Sequence, residues 1–365
     1  MRRLLCGLAA ALCLTGTAFA VSGDWPGTAF SITRELSDAL PEEASEYLDG
    51  AEYSAAGFAG GVGRILDGVG KRAGEVVRQR VKGAAGVLLS VVLCGAVRGG
   101  CREDEGTSLC LSMAGALSVT ALTAGSLDQL IGLGWKTIGE LNAFSKALLP
   151  AMAAAVAASG AVTTATFQQV TTVFLVETLL NLTDAFLMPL TYLYIGLLTA
   201  SCALPGNGPE VLADGLKKLI TSVLTGAVLL FTVYLSVCRI LTGNADGMAV
   251  RAVRTAVTNT VPVVGGILAQ VSESLLAGAG MLRNSLGVFG MLAVLGACAY
   301  PFLQLGVQYL LYKGVAVLAS LAGMSELRRL IDGLGAAFGL VLGMAGSCAV
   351  LLFVSLLSLL TAVSA

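Results

Sequence analysis

The chain has no histidine among its 365 residues. That absence removes Ser-His-Asp and Cys-His catalysis, the HExxH zinc helix and histidine-ligated haem. Charge is scarce: 12% of residues are Asp, Glu, Lys or Arg, where a soluble domain carries about 25%. A large soluble core is thereby excluded. Net charge is -1, which leaves no electrostatic footprint for nucleic acid. Nine cysteines occur without a CxxC pair, which argues against a metal or redox centre. A phosphate loop is also missing. Gly70-Lys71 has Ile65 where a Walker loop needs glycine, and Arg72 where it needs Ser or Thr. Neither GxSxG nor an intramembrane GxGD is present. No enzyme chemistry, cofactor or metal is expected, and any energy must come from a partner or a gradient.

What the chain does have is long uncharged stretches. Lys82 to Arg98 encloses 15 uncharged residues, Glu105 to Asp128 encloses 22 and Lys146 to Glu177 encloses 30. Asp184 to Glu210 encloses 25, Lys218 to Arg239 encloses 20 and Arg283 to Lys313 encloses 29. Nothing is charged after Asp332. A helix needs roughly 20 apolar residues to cross about 30 Å of hydrocarbon. With 56% hydrophobic residues and mean hydropathy +0.85, the chain reads as an all-α polytopic membrane bundle. About seven spans are expected, within a range of six to eight. They are Gly83–Val97, Gly106–Leu127, Ala147–Thr166, Ala185–Leu204, Leu219–Cys238, Leu286–Leu303 and the last window, Gly333–Ala365. Val170–Thr183 is expected as a half-helix before the fourth span.

Ahead of the spans, residues 1–20 read as a secretory signal: Arg2-Arg3, apolar Leu4 to Thr15, then Ala18-Phe19-Ala20 before Val21. The alternative is an uncleaved first anchor. Val21 to Gly70 holds nine acids against Arg34 and Arg64, net -7, and is expected as a small extracytoplasmic helical segment. Pro41-Glu42-Glu43 marks a helix start, because proline and carboxylates suit a first turn. The segment ends, by residue 82, in a basic run with Lys71, Arg72, Arg78, Arg80 and Lys82 against Glu75. Such a run usually marks the cytoplasmic side. The three agreeing parts of the signal take precedence, leaving the run for anionic membrane lipid or an acidic partner. The transmembrane domain is then 83–365.

Three features inside that domain stand out. Gly335, Gly339 and Gly343 recur every four residues, with Gly346 following. They line one helix face, serving intrachain packing or association with a second helix. Glu177 and Asp184, seven apart, share a helical face. They face a cavity or a cation such as Arg283 if deep, and solvent if they lie in an interfacial turn. Within the region near 254–285, Arg254 to Glu273 encloses 18 uncharged residues yet is broken by Asn259, Pro262 and Gly265-Gly266. Non-helical backbone at membrane depth must be buried in protein or line water, so a re-entrant or interfacial break is expected. Cys94, Cys202, Cys238, Cys298 and Cys348 read as packed small hydrophobes, while Cys101 and Cys110 flank a loop and pair if it is external.

The broken stretch carries a resemblance. Asp246-Gly247, Arg251, Arg254-Thr255-Ala256 and Asn259-Thr260-Val261-Pro262-Val263-Val264-Gly265-Gly266 resemble the signature of the stage III sporulation protein AE family. There an aspartate-glycine pair and basic residues precede Asn-Phe-Ile-Pro-Val-Val-Gly. Arg283-Asn284-Ser285-Leu286-Gly287 resembles the family's following Lys-Asn-Ala-Val-Gly. Ala147-Leu148-Leu149-Pro150, Ala158-Ser159-Gly160 and Met188-Pro189-Leu190 resemble its upstream patterns, so the likeness spans most of Ala147 to Asp332. Thr260-Val261 and Arg283 depart from it. The resemblance implies a non-enzymatic subunit of a secretion-like channel complex in the mother-cell membrane around the engulfed forespore. It implies partners among the other membrane proteins of the same operon, including ring-forming proteins and an ATPase, and indirectly stage II sporulation protein Q. The competing reading is a secondary transporter acting alone, with Glu177 and Asp184 at depth. That reading calls for an internal inverted repeat, which the charge spacing of the two halves does not show.

Overall fold

The computed structural model describes residues 36, 39–48, 57–100, 105–160, 162–203, 208–260 and 265–361. The chain divides into two units, Met1–Leu40 and Pro41–Ala365, and the second holds every element below. The signal-like segment 1–20 lies outside the described residues.

Every described element is helical: α1 (Glu42–Leu48), α2 (Phe58–Gly100), α3 (Glu105–Ala158), α4 (Val162–Leu182), a π segment (Thr183–Leu187), α5 (Met188–Ala203), α6 (Gly208–Thr260), α7 (Gly265–Leu321) and α8 (Ser325–Thr361). Six of the described helices are long and apolar enough to cross a membrane: Phe58–Gly100, Cys110–Ala158, Phe174–Ser201, Gly208–Val237, Leu276–Leu321 and Ser325–Leu360. The protein is an all-α, multi-pass membrane bundle.

Pro41 opens α1, its carbonyl accepting from the Ala44 and Ser45 amides at 2.9 and 3.2 Å. The helix that carries the first uncharged window begins much earlier than that window. α2 runs unbroken from Phe58 through the basic run to Gly100. The expected third span, Ala147–Thr166, is not a separate element. Its first half is the tail of α3, with Pro150 inside the helix, and α3 ends at Ala158. Gly160 causes the stop. Its φ of 96° is a left-handed value that breaks a helix, and the Ser159 hydroxyl folds back onto the Val156 carbonyl at 2.8 Å. That turn lowers the span count to six.

The expected half-helix and the fourth span are joined across the π segment. Pro189 follows it closely and lacks an amide for the Ala185 carbonyl, against which its ring would clash in a regular turn. Widening the turn before it accommodates the ring. α6 ends at Thr260 and α7 begins at Gly265; the break expected near 254–285 centres on residues 261–264, which lie outside the described residues. At the far end, Gly323 at φ 73° lets the Met324 and Gly323 amides bond the Ala319 and Ser320 carbonyls at 3.2 Å each. This left-handed stop turns α7 back against α8.

α7 is the central helix. Its most apolar stretch is 67% buried, against 22% for that of α6. α8 lies antiparallel to it: Gly335 packs on Tyr312, Gly346 on Phe302 and Gly290 on Leu356. α2 runs parallel to α7, with Gly61 on Leu292 and Gly95 on Ala322. α3 returns along both, placing Gly134 on Val341 and Leu148 on Gly290. On the other side, Tyr194 donates to the Gly333 carbonyl at 3.1 Å and Leu224 packs on Gly343. Thr172 and Ser355 bond at 3.1 Å, fixing α4 against α8.

Candidate functional site: a polar seam inside the bundle

Tyr300, Gln304, Gln308 and Tyr312 recur every four residues on α7. Four-residue steps keep side chains on one face, and twelve residues cover ~18 Å at ~1.5 Å each. α2 meets this row with Arg72 and Arg80, eight residues apart and hence also on one face. Arg80 is 7% exposed. Its Nη2 donates to Gln304 Oε1 at 2.6 Å and its Nη1 to Gln129 Oε1 of α3 at 3.3 Å. Nε is buried with no hydrogen-bond partner. A guanidinium stays charged in a protein, and a charge at membrane depth costs at least ~2.5–3.5 kcal/mol. Two amide oxygens offset part of that cost. Further along the row, the Tyr312 hydroxyl donates to Thr123 Oγ1 at 3.0 Å, and the Gln308 Oε1 is buried without a partner.

At its other end the seam meets α1. Arg72 pairs with Glu46, and its Nη1 stands 3.7 Å from a Glu43 oxygen. Its guanidinium lies over the rings of Tyr300, at 5.5 Å, and Tyr47, at 6.0 Å. Ala44 is fully buried, with its Cα 3.1 Å from where a side chain on Gly296 would begin. The acidic helix is therefore docked on α7 and α2. Burial pushes the Glu43 carboxyl above its ordinary range, against the pull of Arg72.

Other predicted residues fall elsewhere. Gly335 and Gly339 pack within the chain, on Tyr312 and on the Tyr309 ring at 3.1 and 3.2 Å. Gly343 and Gly346 face Leu224 and Phe302 at 3.5 and 3.7 Å. Glu177 lies in a helix, not a turn, and pairs with Lys146 at 3.4 Å. The two side chains are 47% and 55% exposed, so this carboxylate does not line an interior cavity or meet Arg283. Asp184 falls in the π segment, where wider turns disturb the seven-residue register.

Asp246, Gly247 and Asn259 lie on the second half of α6, and Gly265 and Gly266 open α7. Pro262 lies outside the described residues, as does Cys101; Cys110 is a free thiol. Arg283 is 8% exposed, with Nε and Nη1 unpartnered, while Asn284 beside it is exposed. Gly287 gives Leu360 room to pack. Among the described residues no cluster of three or more His, Cys, Asp or Glu could hold a metal, and no carboxylate is buried. The described residues of the seam show no nucleophile paired with a base.

A family model described as Stage III sporulation protein AE matches residues 103–363. The Stage III sporulation protein AE of Bacillus subtilis (strain 168) is 25% identical over 207 residues, 55% of this chain and 51% of that protein. The aligned region thus spans about half the length of that relative. No solved structure matches the chain. With its family match running from just ahead of α3 to past the end of α8, the chain belongs to the stage III sporulation protein AE family.

Proposed function

We propose that this chain is a non-enzymatic integral membrane subunit of the channel or secretion-like complex that supports the engulfed forespore from the mother-cell membrane. The observation that carries the reading is the family match over 103–363, which takes in five of the six candidate spans. Its partners in this reading are the ring-forming proteins and the ATPase of the same assembly, with stage II sporulation protein Q reached indirectly. Energy comes from the ATPase, since the sequence holds no phosphate loop.

Within the chain, the working part is the Arg80–Gln304 seam. The transporter reading gains nothing from Glu177, which sits half-exposed in a pair with Lys146. The test is deletion of the gene in its host, with complementation, scoring engulfment by membrane dye and forespore gene expression by reporter. Normal engulfment followed by failing forespore expression supports the proposal. Undisturbed forespore expression sinks it.

A further inference from the structure

The uncharged stretches of α5, α6, α7 and α8 lie side by side. α8 is uncharged beyond Asp332, and its contacts set it level with α7 from Gly290 to Tyr312. Leu198 on Gly333 brings α5 to the same level, and Thr172 on Ser355 brings in α4, whose Glu177 pairs with Lys146 on the charged side of the bundle. Leu224 on Gly343, with Thr171 and Tyr234 bonded at 3.1 Å, does the same for α6. Together they form one apolar belt. Its outer surface on α6 is apolar too, with Leu229, Leu230 and Val233 all more than 60% exposed. That side meets lipid.

The opposite side of the same belt is different. Gly61 packs on Leu292, Arg72 lies over Tyr300 and Arg80 bonds Gln304. The stretch of α2 at belt depth is therefore its charged half, not its uncharged window. Asp67, Lys71, Glu75 and Arg78 are all exposed there. On α3, Gly134 packs on Val341 and Leu148 on Gly290, so Lys136 and Lys146 share that depth and are exposed as well. The uncharged part of α2 lies further along, where Gly95 packs on Ala322. From the two registers the offset is ~18 residues, or ~27 Å at ~1.5 Å each. Centring the bilayer on that part instead would draw Lys313, Arg328, Arg329 and Asp332 into hydrocarbon, so the four-element belt marks membrane depth.

Exposed charges of both signs at that depth are incompatible with acyl chains, and charged side chains in membrane proteins face water-filled or protein-filled space. We infer that the outer face of α2 from Gly61 to Lys82 and of α3 from Asp128 to Lys146 borders water at membrane depth, forming one wall of an aqueous vestibule. Six exposed residues on this face are basic or acidic on α2 alone: Arg64, Asp67, Lys71, Glu75, Arg78 and Lys82. The mixed signs suit water and hydrated solutes of either charge. The inference rests on helix register alone and stands apart from the sporulation role.

Thiol labelling tests it on the full chain, with native cysteines replaced, in membranes opened to a charged, impermeant maleimide on both sides. Gly74→Cys and Gly139→Cys place the thiol on the charged face, where nothing lies within 4 Å of an added side chain. Leu230→Cys and Val233→Cys place it on α6 at the same depth, and Ser325→Cys at the α7–α8 turn is the aqueous reference. A thiol in hydrocarbon loses ~100-fold in thiolate for two units of pKa. The expected result is labelling of Gly74→Cys and Gly139→Cys within about tenfold of the reference, and labelling of the α6 pair at least ~100-fold slower. Two results overturn it. One is slow labelling at Gly74→Cys and Gly139→Cys, which means that lipid or another chain covers the face. The other is fast labelling at all four, which places the belt outside the bilayer. Full labelling of every variant in denaturing detergent verifies that each thiol is present.

Discussion

Arg80 of α2 reaches Gln304 of α7 across 224 residues of sequence, and the 2.6 Å bond between them joins a buried guanidinium to a half-buried amide. No carboxylate among the described residues neutralises this guanidinium. Arg80→Met strands two amide oxygens and is expected to destabilise the bundle by about 2–6 kcal/mol, from ~1–3 kcal/mol per unsatisfied group. Arg80→Met with Gln304→Leu removes both ends and should recover much of the loss. Thermal unfolding of the four proteins of the cycle in detergent checks this, with a coupling of about 0.5–3 kcal/mol expected. Additive effects would mean that the two side chains do not act as a pair.

Gly134 marks a close approach of α3 to α8, where an added Cβ would run into Val341. Gly134→Ala should cost about 1–3 kcal/mol by overpacking. Val341→Ala in the same chain should restore part of it, because it removes the atoms that clash. Melting temperatures of the single and double variants decide; an unchanged Gly134→Ala would show that the contact is slack.

The glycine row on α8 gives an ordered set. Gly335 and Gly339 face Tyr312 and Tyr309 at 3.1 and 3.2 Å, so alanine there should be neutral or destabilising. Gly343 and Gly346 have ordinary clearance, 3.5 and 3.7 Å, so alanine should stabilise by up to ~1 kcal/mol through helix propensity. If all four substitutions instead changed oligomeric state and left unfolding alone, the row would be an association face.

Docking of α1 should depend on pH through Glu43. Its carboxyl is held above its ordinary value of 4.5 by burial. A raised pKa favours the protonated form in the docked state, so this contribution is present below about pH 4.5 and is lost as pH rises through the docked-state value. Glu43→Gln should flatten that dependence and tighten docking at neutral pH, read as the pH dependence of a cross-link between α1 and α7. An unchanged profile in Glu43→Gln would assign the dependence elsewhere.

Much of the fold was legible because lipid exposure and protein burial both demand uncharged helices, and windows bounded by charges mark them. The third span failed for a local reason: counting charges passes over Gly160, whose left-handed φ cuts the window from Lys146 to Glu177 in two. The same counting hid the seam. Gln304 and Gln308 are uncharged and vanish inside an apolar window, although their four-residue spacing between Tyr300 and Tyr312 is visible in sequence. Arg80 looked like part of a juxtamembrane run. Its spacing of four residues from Val76 and from Ala84, both buried, was the available sign that it sits on the packed stripe of α2. The partner 224 residues away was not available from any local pattern. Glu177 misled in the other direction, because its partner Lys146 lies on a different helix at the surface.

The most direct test of the account is the titre of heat-resistant spores from a host whose own copy is replaced by Arg80→Met, compared with wild type and Arg80→Lys at equal membrane level by immunoblot. If the seam serves the forespore, Arg80→Met should yield few spores while engulfment proceeds, and Arg80→Lys should retain part of the titre. A full spore titre from Arg80→Met would contradict the account.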